Sequence, residues 1–126
     1  MIQVEAAVID VDDAGWREAM QWAGAFVGGF RSDQTRRSYR RDLECWLAFC
    51  AVHSLHPFRG LRRTHLELYL RQLEAQDPAP SRCTLYRRIS TLSSWFRWFE
   101  DEDVIIGNPA ARVRRDCRVT PAHSHG

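Results

Sequence analysis

Residues 32–54, SDQTRRSYRRDLECWLAFCAVHS, set an apolar helical stripe against a block of arginines within one stretch of chain. Tyr39, Leu43, Trp46, Leu47 and Cys50 recur at the i, i+4, i+7, i+8, i+11 spacing of a buried helical face. At about 100° per residue, Arg37, Arg40 and Arg41 project to the other side with Glu44 and Ala48. The stretch therefore reads as an amphipathic helix with a core side and a cationic side. A solvated charged face accounts for such a pattern on any single helix, so the decision rests on whether the chain repeats it.

The chain has 126 residues, 44% of them hydrophobic, with five Trp and six Phe, enough for one domain with a real core. No apolar run reaches the roughly 18 residues of a membrane span, and the acidic start (Glu5, Asp10, Asp12, Asp13) is unlike a signal peptide, so a cytoplasmic protein with no membrane partner is expected. Cys45, Cys50, Cys83 and Cys117 are irregularly spaced in a chain that needs no staples, which favours reduced thiols. Cys50, His53 and His56 match no standard zinc spacing, and Cys50 sits on the apolar stripe. No metal and no cofactor are expected.

The net charge of +2 hides an asymmetry. Residues 1–30 hold one Arg and five acids, residues 31–97 hold 13 Arg and six acids, and residues 98–126 hold four Arg and five acids. All 18 basic residues are arginine. GC-rich codon usage would produce the same bias, but arginine also offers a planar fork suited to phosphate and to guanine edges. A polyanionic partner follows, nucleic acid rather than a membrane, because the arginines form no juxtamembrane run.

Taken in order, residues 1–12 lack a helical stripe and are expected to be a flexible N-terminus. Trp16, Ala19, Met20, Ala23, Phe26, Val27 and Phe30 then give a first helix over about 13–28, stopped by Gly28 and Gly29. The second helix begins at Ser32 or Asp33 as N-cap. Thr64 and Glu67 form a capping box for a third helix with Leu66, Tyr69, Leu70 and Leu73 as its apolar face. Asp77-Pro78-Ala79-Pro80 breaks it. A fourth helix over about 81–102 carries Leu85, Ile89, Leu92, Phe96 and Phe99 on one side. Its other side holds Cys83, Arg87, Ser90, Thr91, Ser94 and Arg97, repeating the layout of the second helix. Small hydroxyls let a helix approach a duplex closely, and arginine reaches base edges; two such faces in a small all-α chain point to DNA binding. Gly107-Asn108-Pro109 ends the helical region, and residues 114–126, with no core-forming pattern, are expected to be a disordered linker and tail.

Thr35-x-x-x-Tyr39-Arg40-Arg41-Asp42-Leu43 with Trp46 and Phe49 resembles the start of the core-binding domain of tyrosine recombinases, the phage integrases and Xer-type enzymes. Leu66 to Leu73, then Thr84-Leu85-x-Arg87-Arg88-Ile89-Ser90-x-Leu92, then Phe96-x-x-Phe99 and Asn108-Pro109-Ala110 follow in the family's order. The resemblance covers about residues 14–115, within a domain expected over 13–113. It implies a SAM-like bundle of four helices, two crossed hairpins, that grips double-stranded DNA with its second and fourth helices in the major groove. By position the contacts would be Thr35, Arg37, Ser38 and Arg41 from the second helix and Thr84, Arg87 and Thr91 from the fourth. Arg40, Arg88, Ser94 and Arg97 flank them as phosphate contacts. Cys83 stands where the family often has a basic or polar residue.

The family's chemistry needs a tyrosine nucleophile with arginines, a lysine and a histidine or tryptophan, all in a second domain that 126 residues cannot also hold. Tyr39, Tyr69 and Tyr86 lie on or beside packing faces, and His56-Pro57-Phe58-Arg59, a literal His-x-x-Arg, lies in a proline-broken loop and reads as chance. The expectation is a DNA binder that is not an enzyme, whether an excised domain, a truncated integrase or a free-standing accessory protein, with a recombinase catalytic domain or other protomers as further partners. The alternative is a helical protein-interaction module or assembly adaptor. Trp98, off the core stripe of the fourth helix, would be its anchor if exposed; packing against the acidic N-terminal segment or the tail is the simpler reading.

Overall fold

Four helices and no strand make up the described residues: α1 (Ile2–Gly28), α2 (Asp33–Val52), α3 (Arg63–Glu74) and α4 (Arg82–Asp101). The computed structural model describes the backbone of residues 2–113 and the side chains of residues 15–113. The expected tail at 114–126 lies outside the described residues. No helix among the described residues is long and apolar enough to cross a membrane.

α2 and α4 start on the same device. The Ser32 hydroxyl accepts the Thr35 N–H at 3.2 Å, and the Ser81 hydroxyl accepts the Thr84 N–H at 3.1 Å. Each serine satisfies one of the backbone donors that a helix start leaves without an intrahelical partner. Two helix starts differ from expectation. α1 begins at Ile2 rather than near Asp13. Residues 2–12 carry no apolar stripe, yet they contain no Gly or Pro and include Glu5, Ala6 and Ala7, which favour helix without any packing. α3 begins at Arg63, and the expected Thr64–Glu67 box does not form. His65 Nδ1 accepts the Arg62 N–H at 3.0 Å, while Glu67 pairs with Arg63 one turn earlier at 3.3 Å.

The apolar stripes meet largely as expected, except that Met20 is exposed and Tyr39 and Leu70 are only half-buried. Leu43, Trp46, Leu47 and Cys50 of α2 and Leu85, Ile89, Leu92, Phe96 and Phe99 of α4 are all buried, joined by Leu66, Tyr69 and Leu73 of α3. Trp95, outside the expected stripe, is buried too, so α4 presents a wider apolar face than five positions suggest. Trp46 and Phe49 reach Tyr69 with ring centroids 5.1 Å and 4.9 Å apart, joining α2 to α3. Phe58, from the α2–α3 loop, stacks on Phe99 at 4.3 Å. Each such ring contributes about 1.5–3 kcal/mol by leaving water.

α1 closes the bundle on the side of α2 and α4. Phe26 and Phe30 pack on Tyr39 at 6.0 Å and 4.7 Å, and Trp22 meets Trp98 edge-on at 5.4 Å. Trp98 is therefore half-buried against Trp22 and Phe26 of α1, not an exposed anchor. α1 also holds the α2–α3 loop: Glu18 pairs with Arg59 at 3.1 Å, and Gly15 lies so close to His56 that an added Cβ would come within 3.1 Å of its ring.

The segment after α4 is docked rather than a simple exit. Asn108 Nδ2 donates to the Ser93 carbonyl at 3.0 Å and to its hydroxyl at 3.1 Å, and Asn108 Oδ1 accepts the Ala110 N–H at 2.9 Å. These bonds place Ala110 and Val113 in the core.

Candidate nucleic-acid interface

α2 and α4 approach each other in matching register. Ser38 and Asp42 stand six and ten residues after the Ser32 cap, and their partners Arg87 and Thr91 stand at the same positions after Ser81. The side chains facing each other across this seam are polar. Asp42 is fully buried there, and its Oδ2 accepts from Arg87 Nη1 at 2.5 Å and from the Thr91 hydroxyl at 2.7 Å. Arg87 Nη1 also donates to the Ser38 hydroxyl at 3.1 Å. On the far side of the carboxylate, Oδ1 lies 4.0 Å from Arg88 Nε, and neither atom has a hydrogen-bond partner. A buried carboxylate flanked by two guanidinium groups and a hydroxyl is a neutralised charge, the condition under which an ion persists away from water.

This seam sorts the expected site residues. Arg37, Arg40 and Arg41 of α2 are exposed and form no ion pair among the described residues; Arg87, Ser94 and Arg97 of α4 are exposed, and Thr35, Ser38 and Thr84 are half-buried. Ser38 faces α4 through Arg87, Arg41 lies about 60° of helix from it, and Arg37 about 100°. Arg40 is turned about 160° around the helix axis from Ser38 and instead rims an apolar groove between α1 and α2 lined by Met20, Val27, Leu43 and Leu47. Thr84 Oγ1 accepts from the Ser81 hydroxyl at 2.9 Å, so it helps close the cap. Two of the candidates are withdrawn from the surface. Thr91 is buried, and its one hydroxyl proton goes to Asp42. Arg88, with a side chain 18% exposed, turns about 100° from Arg87 toward the core.

Asp42 is the residue that reading the sequence missed as part of the site. The signal was present: Asp42 follows Tyr39 by three positions and precedes Trp46 by four, placing an acid on the buried stripe. An acid there requires a cationic partner from another helix. Beside it, Tyr69 is buried, and burial pushes its hydroxyl well above the usual phenol range; Cys45 adds to the shift and the neighbouring Arg88 opposes it.

The other motifs have structural occupations. His56 Nδ1 accepts the N–H groups of Phe58 and Arg59 at 3.2 Å and 3.1 Å, shaping the loop, and Arg59 is paired with Glu18. Cys50 is in the core, and His53 Nε2 is 3.0 Å from Gln72 Nε2. Tyr39 and Tyr69 are packed among aromatic rings.

Residues 27–103, from the last turn of α1 to just beyond α4, match the family described as phage integrase, N-terminal SAM-like domain. The chain belongs to this family. The matched region is narrower than the resemblance read from the motifs: most of α1 and the docked segment around Asn108 lie outside it. Among curated proteins, tyrosine recombinase XerC of Oceanobacillus iheyensis is 33% identical over 82 residues, covering 65% of this chain and 26% of that protein. XerC of Mycobacterium sp. (strain KMS) is 34% identical over 85 residues, 67% of this chain and 28% of that protein. A tyrosine recombinase of Pseudothermotoga lettingae is 28% identical over 83 residues, 66% of this chain and 29% of that protein. The SAM-like domain thus spans under a third of the length of the curated relatives it matches. No solved structure gives a comparable match.

Proposed function

We propose that this SAM-like domain binds double-stranded DNA through one surface built from α2 and the first half of α4, with the seam between the helices seated over the major groove, and that it binds without itself performing chemistry. The observation that carries this reading is the joining of the two arginine faces. Ser38 of α2 and Arg87 of α4 are hydrogen-bonded at 3.1 Å, so the exposed Arg41, about 60° of helix from Ser38, flanks Arg87 at the seam, with Arg37 one step further around α2. The arginine-rich middle of the chain becomes one cationic patch rather than two solvated faces. Phosphate neutralisation supplies most of the affinity, and Thr35 and Thr84, on the first turns of α2 and α4, stand where backbone dipoles favour phosphate.

Within a recombinase the strand-exchange chemistry belongs to other residues. Tyr39 and Tyr69 are packed in or against the core, and His56 and Arg59 are committed to a loop. A catalytic domain and other protomers are the partners such a binding domain would serve. The interaction-module reading loses its anchor, because Trp98 is packed against α1.

The test is fluorescence anisotropy of the full chain with a labelled duplex across a salt series. Log K is expected to fall linearly with log salt at a slope of about −0.9 per phosphate met. Absence of binding at low salt to every duplex in a randomised pool would remove the proposal.

A further inference from the structure

Arg87 is held in an unusual way for an exposed arginine. Its Nη1 carries two hydrogens, and both are used: one toward the Ser38 hydroxyl at 3.1 Å, one toward Asp42 Oδ2 at 2.5 Å. Its Nε and Nη2 have no partner among the described residues, and the side chain is 43% exposed. The guanidinium is planar, so two bonds at one nitrogen fix its plane while leaving free the complete Nε–Nη2 edge. That edge presents two parallel N–H donors, the pair that matches guanine O6 and N7 or two oxygens of a phosphate. The anchor is itself rigid. Asp42 is fully buried, and the Thr91 hydroxyl at 2.7 Å orients its carboxylate on the same oxygen that holds Arg87. Arg37 and Arg41 have no such brace.

We infer that Asp42 is a positioning residue for DNA recognition: through Oδ2, with Ser38 as second brace, it aims the Nε–Nη2 edge of Arg87 so that this one arginine discriminates among sequences while the unbraced arginines of α2 supply general affinity. The inference rests on the proposed DNA-binding surface and assigns the division of labour within it. A buried acid beneath a binding surface would weaken attraction to DNA if charge were its only effect. Its cost in affinity is offset by the orientation it imposes, since an arginine already in its bound geometry loses less side-chain freedom on binding.

The test uses the full chain and two probes: a duplex selected by the wild-type chain from a randomised 20-base-pair pool, and a random-sequence duplex of the same length. Asp42→Asn keeps the shape and removes the charge. It is expected to bind the random duplex more tightly, because one negative charge is gone, and to lose discrimination between the probes by roughly five- to a hundredfold, the range for one bidentate base contact. In an Arg87→Ala background, Asp42→Asn should cause no further loss of discrimination. Ser38→Ala, which leaves the buried charge in place, should lower discrimination by a smaller factor through the same arginine, and this variant decides the matter if Asp42→Asn does not fold. A merely structural Asp42 would weaken both probes by one common factor and leave their ratio intact. That result, or a loss that persists without Arg87, or an undiminished ratio in Ser38→Ala, overturns the inference. If the wild-type chain binds no duplex at low salt, the proposed function fails with the inference; if it binds every duplex equally, the inference alone fails, so the two failures are distinguishable.

Discussion

On α2, Arg37, Arg40 and Arg41 stand exposed with no ion pair among the described residues, whereas on α4 the neighbouring Arg87 and Arg88 converge on one buried carboxylate that α2 supplies. The two helices share a serine cap, a threonine on the first turn and a run of arginines. They differ in where the counter-charge lies. α2 leaves its exposed arginines without an ion pair among the described residues and contributes the acid; α4 turns Arg87 and Arg88 to that acid and contributes the hydroxyl that orients it. Free arginines on long stems can follow a phosphate backbone at variable positions, and a clasped arginine cannot. Residues of one type on neighbouring helices thereby stand in different physical settings, one suited to affinity and the other to selectivity.

The largest expected difference between the helices is in stability. Asp42→Ala leaves Arg88, Thr91 and half of Arg87 without their partner and is expected to destabilise the fold by about 3 kcal/mol, the lower end for a broken buried pair because Arg87 can swing into water. Arg37→Ala should lie within about 0.5 kcal/mol of the unmodified chain. Urea unfolding of the two variants checks this, and equal midpoints would mean that the clasp contributes nothing to the fold.

Binding should separate the helices next. Arg87→Ala is expected to lose about 1–3 kcal/mol on a selected duplex and far less on a random one. Arg37→Ala should lose about equally on both and reduce the salt slope by about one. Reversed behaviour, with Arg37 carrying the discrimination, would exchange the roles assigned to the two helices. Thr91→Val addresses the clasp without touching the surface. It removes one hydrogen bond to Asp42 and should cost about 1 kcal/mol of stability while leaving the salt slope as it was, which titration over the same salt series would show.

The core and the order of the helices were legible in the sequence because both follow from periodicity: Leu43, Trp46 and Leu47, or Leu85, Ile89 and Leu92, are apolar at helical spacing and have no other place to go. The seam was not legible to the same degree. The helical wheel assigns Thr91 outward by default and the family resemblance makes Arg88 a flanking phosphate contact, yet both turn inward toward an acid on the partner helix. Periodicity describes one helix at a time, whereas a buried polar pair belongs to two. The start of α1 was missed for the opposite reason: helix propensity without an apolar stripe gives a periodicity argument nothing to read. The Asn108 bonds to Ser93 likewise join residues 15 apart in sequence, which no local pattern reports.

Arg40 and Arg41 give the smallest and sharpest contrast, since they are adjacent in sequence, equal in charge and both exposed. About 100° of helix separates them. Arg41 falls toward Ser38 and the seam, and Arg40 falls toward the groove against α1, beside Met20 and Val27. If the α2–α4 seam faces the duplex, Arg41→Ala should weaken binding by about 1 kcal/mol and lower the salt slope by about one, while Arg40→Ala should change affinity by less than about 0.5 kcal/mol through long-range charge alone. Measuring both variants on one duplex at two salt concentrations separates the cases, because a direct phosphate contact alters the slope and a distant charge mainly shifts the intercept. Equal slopes for the two variants would move the bound DNA around α2 toward α1, and with that shift Arg87 would no longer stand at the centre of the surface.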